Sequence, residues 1–314
     1  MYAHRLADAL TLQQYPFPVA GPADWQCAGD GWLTAIELPE LPAGQIVAPS
    51  FSLLSEADYD FQFCLCVEET RYPLARVPGR ETLTNASDSQ VQTAIDCYHS
   101  LMPLSRVRLE VHCRSQHPPQ RYLFSVSARP ALLEADMPGC GSPAGARAFR
   151  TGLPPAYSQM LENPRHAAGI CSPVSAAMVL AHHGHLPVRE RFIAACLDPL
   201  TRAYGVWPLA IHAASRQGSI GAVELFEGWA PVIACLERDL PVVASIRFSA
   251  GTLPGAPMAA TAGHLVVVHG LEGDSVLVND PAAPHHGAVN RRYPVTAFSE
   301  AWFRHRGAAY ILLP

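Results

Sequence analysis

Residues 263–280, GHLVVVHGLEGDSVLVND, decide the fold of the second half of the chain because they predict a β-hairpin. Two apolar runs flank the loop Leu271-Glu272-Gly273. A three-residue loop with glycine at the left-handed position is a favoured hairpin closure. Counting back from this loop places His264 opposite Asp280. Valines face valines across the same face of the pair.

The opposition of His264 and Asp280 has a chemical meaning. Directly opposed residues of an antiparallel pair have Cβ atoms about 4.5–5.5 Å apart, which is hydrogen-bonding reach for an imidazole and a carboxylate. Such a pair fixes the tautomer of a catalytic base and stabilises its imidazolium. In this register Val268 faces Val276, and Asn279 falls on the opposite face, so Asp280 is the preferred partner. A surface salt bridge at the end of a sheet is the alternative interpretation.

A candidate nucleophile lies upstream, at Cys171. A helix is predicted from Ser172 to about His183, with Pro173 at its start and Gly184 placed to end it. Unpaired N–H groups and the macrodipole at a helix N-terminus favour an anion, so a thiol there loses its proton more readily. A buried structural cysteine remains the alternative.

The segments around Cys171, His264 and Asp280 resemble a known family, the cysteine peptidases related to the bacteriocin-processing, double-glycine-leader peptidases. Gly169–Leu180, preceded by Ser158-Gln159, looks like the active-site helix of that family. Gly263–Val268 and Val278–Pro281 look like its histidine strand and Asp-Pro signature. Two further stretches are similar to the family pattern: Gly205–Pro208 and Asp239–Ile246. The resemblance spans about residues 156–314.

The resemblance implies a papain-like fold with Cys171, His264 and Asp280 as a catalytic triad. It also implies that the side-chain amide of Gln159, with the backbone N–H of Cys171, stabilises the oxyanion that forms during acyl transfer. An ordinary surface glutamine is the alternative for Gln159. No cofactor is expected.

The front half has a different texture. From about residue 25 to 130, short alternating runs are separated by turn residues; Tyr59–Val67 is the clearest case, with an apolar residue at every second position. We predict an α+β protein with three parts: an antiparallel, jelly-roll-like β-sandwich domain over 1–135, a Pro/Gly-rich linker over 136–155 and a papain-like domain over 156–314. The front half is weakly similar to a β-sandwich that precedes the peptidase domain in some relatives.

Composition excludes several classes of function. The net charge is -5, with no basic stripe, which argues against a nucleic-acid partner. No apolar run reaches the roughly 20 residues of a membrane helix, and the N-terminus lacks the pattern of a secretory signal. Nine scattered cysteines without paired CxxC motifs predict neither a disulfide framework nor a metal site. A cytoplasmic protein is the default expectation.

Three residues are candidates for the substrate cleft: Tyr204, Trp207 and Gly263. Aromatic walls are common in binding clefts, although core packing explains Tyr204 and Trp207 equally well. The loop 249–262, just before His264, is a candidate flexible rim over the cleft, and a passive connection is the equal alternative.

Three hypotheses for the function follow. The first is a cysteine peptidase or amidase that acts on a peptide through an acyl-enzyme. The second keeps the triad but transfers the acyl group, as an acyltransferase or cyclase working on an acyl thioester that a carrier protein can hold. The third is a catalytically idle binding protein.

Overall fold

The computed structural model describes residues 2–6, 14–79, 87–133 and 148–314. Helices and antiparallel sheets occur together, in agreement with the predicted α+β class. Most of the predicted linker, residues 136–147, lies outside the described residues. The later part of the predicted linker includes a short strand at Phe149–Arg150, which pairs with the strand Thr261–Glu272 that contains His264. The domain bounds stay a prediction.

Within the described residues, the alternating sequence of the front half forms ten strands in two five-stranded antiparallel sheets. The first sheet has the order β1-β10-β4-β8-β7 and the second β2-β3-β9-β5-β6. Their bounds are β1 Tyr2–Leu6, β2 Gln26–Ala28, β3 Gly31–Leu38, β4 Gln45–Leu53, β5 Asp60–Val67, β6 Thr70–Pro73, β7 Val91–Thr93, β8 Tyr98–Ser100, β9 Val107–Arg114 and β10 Tyr122–Pro130. Period-2 alternation turns the large apolar side chains of β5 to one face. Phe61, Phe63 and Leu65 of β5 are accordingly buried, and they share a core with Phe51 and Phe124 of the other sheet.

The back half carries a second group of elements, five α-helices and seven strands. The helices are α1 Cys171–His182, α2 Arg189–Ala195, α3 Trp207–Ser215, α4 Trp229–Leu236 and α5 Val295–Trp302. The strands are β11 Phe149–Arg150, β12 Gly221–Leu225, β13 Val242–Phe248, β14 Thr261–Glu272, β15 Ser275–Asn279, β16 Asn290–Pro294 and β17 Ala308–Leu312. They form one antiparallel sheet of order β12-β17-β13-β14-β15-β16, with β11 beside β14. Within the described ranges, no helix is both long enough and apolar enough to cross a membrane.

The predicted register of the hairpin is wrong. Val268 lies opposite Val278, and not opposite Val276 as the three-residue loop required. The turn contains only Gly273 and Asp274, because Glu272 pairs with Ser275. The register also shifts between Val268 and Gly270, where β14 bulges by one residue. These two differences together move His264 out of direct opposition to Asp280.

The two halves are joined through a buried polar interface. Glu224 of β12 is fully buried and accepts hydrogen bonds from Tyr15, from Ser127 of β10 and from the His4 Nε2, at 2.9 Å for His4. Ser52 of β4 also donates to the Gly221 carbonyl at 2.8 Å. Buried polar groups are costly unless they are satisfied, so these contacts fix how the sheets meet.

Arg129, at the end of β10, is a second anchor between the halves. Its guanidinium is buried and donates to the carbonyls of Phe226 at 2.5 Å, Phe303 at 2.8 Å and His305 at 3.1 Å. Each of these acceptors belongs to a loop of the back half. Arg129 therefore holds two loops of the back half against the last strand of the front half.

Replacing Arg129 with alanine is expected to lower the free energy of unfolding by about 3 kcal/mol, because buried carbonyls lose charged donors. Urea denaturation followed by tryptophan fluorescence measures the change. Arg238→Ala is the matched control, since Arg238 is exposed just after α4 and, among the described residues, its guanidinium donates to the Ala234 carbonyl alone. An Arg129→Ala protein that is no less stable than this control would contradict the anchoring role.

Candidate active site

Helix α1 and strand β14 bring Cys171 and His264 together. Cys171 is the first residue of α1, and the helix packs against β14. The Ser175 hydroxyl, one turn along the helix, donates to the Leu265 carbonyl at 3.0 Å. Ser172 adds a second tie, a 2.9 Å hydrogen bond between its hydroxyl and that of Tyr310 in β17. The start of the helix is thus fixed beside the residue next to His264.

The surroundings of Cys171 favour the thiolate. Burial by itself raises the pKa of the Cys171 thiol, but the hydrogen bond and charge of His264 outweigh it, so the pKa lies below its ordinary value. Hydrogen bonds from the backbone of Leu265 and Ser172 act in the same direction. The position at a helix N-terminus is consistent with this shift. Six of the other seven described cysteines are buried, and all eight are free.

His264 and Asp280 form a buried pair. The His264 Nε2 lies 2.8 Å from Asp280 Oδ1, and both residues are almost fully buried. Burial by itself lowers the pKa of His264, but hydrogen bonds with Asp280 and Cys171 raise the pKa to about 10. Because the carboxylate holds Nε2, the ring presents Nδ1 to the thiol. The predicted contact is therefore present even though the predicted register is not.

Asp280 is held by three donors. Besides His264, the hydroxyl of Tyr293 donates to Oδ2 at 2.6 Å and the backbone N–H of Ala282 donates to Oδ1 at 2.9 Å. Burial by itself raises the pKa of Asp280, but these hydrogen bonds and the charge of His264 keep the pKa below its ordinary value. The sequence did not predict that Tyr293, in β16, contacts Asp280. Its neighbours Arg291, Arg292 and Pro294 mask the strand pattern that would have indicated it.

Gln159 is buried beside the chain segment that leads into Cys171. It begins a short 3₁₀ helix, and its backbone N–H donates to the carbonyl of Pro281, the residue after Asp280, at 2.8 Å. Its side-chain amide donates to the Ala167 carbonyl at 2.7 Å. The second hydrogen of that amide is not used by this bond. Gln159 is therefore tethered to both segments of the site, and its oxyanion role stays a prediction.

A cavity of about 880 Å³ opens at Cys171. Tyr204, Trp207 and Gly263, the three predicted substrate-binding residues, all line it. Trp207 is also buried in the core, so both interpretations weighed for it apply. The loop 249–262 lines mainly a neighbouring cavity of about 1210 Å³, and its last residue, Ala262, also lines the first. Arg247 and His305 are likewise shared by the two cavities.

The front half supplies one wall of the cavity at Cys171. Ile95, Asp96 and His99 reach it from the segment around β8, and Ala131 and Leu132 reach it just after β10. A carboxylate oxygen of Asp96 accepts from the backbone N–H of Trp207, at the start of α3, at 3.2 Å. The cleft is therefore built by both halves of the chain.

One group among the described residues has a geometry that suits a metal ion: Cys64, Cys66 and Glu110. Their ligand atoms lie within 4.8 Å of one another. Glu110, however, accepts hydrogen bonds from Arg71 at 2.7 Å and from Arg108 at 2.9 Å. Two guanidinium groups at the carboxylate repel a cation, so this cluster carries no metal proposal.

Taken together, a thiol, an imidazole and a carboxylate meet at the junction of one helix and one sheet, at the wall of an open cavity. The lowered pKa of the Cys171 thiol and the raised pKa of the His264 imidazole both favour the thiolate–imidazolium pair. Such a pair combines a nucleophile with a proton donor.

Comparison with known proteins gives the following matches. Residues 154–310, half of the chain, match the family described as Peptidase_C39 like family. A comparison with curated proteins gave no match.

Three solved structures are similar over about half of this chain. A double glycine motif protease from an AMS/PCAT transporter, in complex with its leader peptide, is 20% identical with a TM-score of 0.37, over 52% of this chain and 94% of that one. A putative C39-like peptidase from Bacillus anthracis is 16% identical with a TM-score of 0.42, over 54% and 98%. The peptidase domain of Streptococcus ComA, a bi-functional ABC transporter involved in a quorum sensing pathway, is 15% identical with a TM-score of 0.35, over 47% and 93%.

Proposed function

The chain belongs to the Peptidase_C39 like family, and from this membership we propose that it is a cysteine peptidase that hydrolyses peptide bonds with Cys171, His264 and Asp280. The family resemblance noted in the sequence is thereby confirmed. We further propose that the front half is a β-sandwich domain that completes the substrate cleft.

One observation carries the proposal. His264 is hydrogen-bonded to Asp280 at 2.8 Å on one side and interacts with the Cys171 thiol on the other, at the wall of a cavity of about 880 Å³. This order of thiol, imidazole and carboxylate is the one that nucleophilic catalysis of acyl transfer requires. The size of the cavity suits a peptide segment.

In the proposed first step, His264 holds the proton of Cys171 and the thiolate attacks the carbonyl carbon of the substrate. The carbonyl electron pair moves to oxygen and gives a tetrahedral oxyanion. We assign the side-chain amide of Gln159 and the backbone N–H of Cys171 as its donors. The oxyanion collapses, the C–N bond breaks, and the His264 imidazolium gives its proton to the departing amine.

In the second step, water replaces the amine. His264, now neutral, takes a proton from the water as its oxygen attacks the thioester carbon. The C–S bond breaks and the Cys171 thiolate is released, with a carboxylic acid as the product. Throughout both steps, Asp280 keeps Nε2 of the imidazole protonated and oriented.

The test is a digest of a mixed peptide pool in heavy-oxygen water. If the chain hydrolyses peptide bonds, the new C-termini are expected to contain heavy oxygen. After a brief incubation, the intact mass of the protein is expected to show an acyl adduct on Cys171. A parallel incubation with an acyl thioester and an amine predicts mainly free acid.

Two outcomes would contradict the peptidase. Amide as the main product of the thioester incubation would identify an acyltransferase instead. A Cys171 that resists a thiol-reactive probe in the native protein, but is labelled after unfolding, would identify a catalytically idle binding protein. Cys27, the exposed cysteine of β2, is the internal control for the probe.

The dependence of kcat/KM on pH is expected to be bell-shaped. Activity rises with pH as Cys171 loses its proton, and this acid limb lies below the ordinary cysteine pKa of about 8.5 because the Cys171 pKa is lowered. Activity falls again as His264 loses its proton, whose pKa is raised to about 10. The two limbs belong to the pair and are measured as kcat/KM from acid to alkaline pH. A single rise near the ordinary cysteine pKa would contradict the ion pair.

A further inference from the structure

The cleft at Cys171 carries a charge opposite to that of the whole chain. The chain has a net charge of -5. Four arginines line the cleft: Arg165, Arg202, Arg247 and Arg306. Among the described residues of its wall, Asp96 alone has a carboxylate, and that side chain is buried. An acidic protein has thus concentrated positive charge where its proposed substrate binds.

These four arginines have no carboxylate partner in the described part of the chain, whereas several arginines elsewhere on the surface do. Arg106 pairs with Glu68 at 2.7 Å and Arg189 pairs with Glu162 at 2.9 Å. In the cleft, the Arg247 Nε donates to the Ala262 carbonyl at 2.8 Å. The two terminal nitrogens of Arg247 take no part in this bond and can donate to a ligand. The Arg306 guanidinium lies 5.7 Å from the centre of the Trp207 ring. Both side chains are positioned, and neither forms an ion pair with a described carboxylate.

The turn that carries Arg202 is held in a fixed conformation by hydrogen bonds. Arg202 has a φ of +60°, in the left-handed region that non-glycine residues rarely adopt. Its backbone N–H donates to the Asp198 carbonyl at 2.9 Å, and the Asp198 N–H donates to the Ala203 carbonyl at 2.8 Å. Thr201 closes the turn through a 2.6 Å hydrogen bond to the Asp198 carboxylate. Such strain persists where the surroundings fix it, often at a binding site.

Two histidines that line the cleft, His99 and His305, are affected by the same positive charge. Burial lowers the pKa of His99, and the charge of Arg306 lowers it further. Burial likewise lowers the pKa of His305, with Arg247 and Arg304 acting in the same direction. Arginine binds carboxylates with paired hydrogen bonds, and a cleft lined by one sign of charge concentrates ligands of the opposite sign.

We propose that this cleft selects acidic peptides, in which aspartate or glutamate side chains close to the cleaved bond bind the four arginines. The inference rests on the proposed peptidase function and names its substrate class. Arg247 lies where the two cavities meet, so an extended peptide leaving Cys171 passes it.

Binding to the Cys171→Ala protein tests the proposal without turnover. The probes are two fluorescent peptides of equal length, one rich in glutamate and one with glutamine in its place, followed by anisotropy. The glutamate peptide is expected to bind about tenfold tighter at low salt. The advantage should shrink at about 1 M salt, where the Debye length is about 3 Å.

A double variant, Arg202→Gln with Arg247→Gln, is expected to remove most of the advantage of the glutamate peptide. The matched control is Arg238→Gln, an exposed arginine outside the cleft that is likewise without a described carboxylate partner. Equal binding of the two peptides, or a preference that survives the double variant, would overturn the proposal. Displacement of the glutamate peptide by inorganic phosphate at lower concentration than by glutarate would also overturn it, in favour of a phosphate group.

Mapping of cleavage sites separates this inference from the peptidase itself. The active protein digests a mixed peptide pool, and the residues flanking each cut are counted. Enrichment of aspartate and glutamate near the cuts supports both proposals. Cuts without that enrichment overturn the acidic preference alone. Acidic binding without any cleavage overturns the peptidase and retains the anion-binding cleft.

Discussion

Replacing Cys171 with alanine is expected to lower kcat/KM for peptide cleavage by at least about 10⁴-fold. The substitution removes the sulfur on which the proposed acyl-enzyme forms, and no neighbouring described group takes its place at the start of α1. Initial rates on a peptide found in the digest measure the effect, and the acyl adduct should disappear from the intact mass.

The control for this variant is Cys27→Ala, because Cys27 is an exposed cysteine that does not line the cavity at Cys171. It is expected to cleave at the rate of the unaltered protein. Circular dichroism and the unfolding midpoint show whether Cys171→Ala is folded. A folded Cys171→Ala protein that still cleaves at more than about a hundredth of the original rate would contradict the assignment of the nucleophile.

Asp280→Asn is expected to produce the second largest loss, a fall in kcat/KM of about 10²–10⁴-fold. Asparagine keeps the shape of the side chain but loses the charge that stabilises the His264 imidazolium. Its amide can also donate to the imidazole and so favour the wrong tautomer. The His264 pKa should fall, which moves the alkaline limb of the pH profile to lower pH.

Tyr293→Phe is the graded comparison for Asp280→Asn. It removes one hydrogen bond to Asp280 Oδ2 and leaves the charge and the contact with His264 in place. A decrease of about tenfold or less is expected. If Asp280→Asn keeps its alkaline limb and loses no more activity than Tyr293→Phe, then Asp280 does not orient the base.

The elements that carry the site were predictable from the sequence, but the way in which they meet was not. Helix α1 begins within one residue of its predicted start, since its proline and terminating glycine are local signals. The hairpin register failed first at the turn, where Glu272 pairs with Ser275, and again at His269, where β14 bulges. The His269 carbonyl accepts from the Thr151 N–H at 3.0 Å, and its ring contacts Asn290 at 3.0 Å. These partners lie far from His269 in the chain, so the hairpin sequence alone cannot specify the bulge.

Tyr293 and the charged cleft illustrate the same limit. Tyr293 reaches Asp280 only because β16 pairs with β15, a pairing that no turn motif announces. The arginines of the cleft come from three loops and from strand β13, and their convergence cannot be seen in a composition whose net charge is negative. Long-range packing determines both features.

The anchoring of Arg129 bears on how such an enzyme can be re-engineered. His305 and Arg306 line the cleft, and Arg129 holds the loop to which they belong. A chimera that joins a foreign front half to the back half would change the wall that the front half supplies to the cleft. It would also change the position of the loop that Arg129 holds. Exchange of modules at this boundary should therefore alter which sequences are cut, even when every reacting atom is retained.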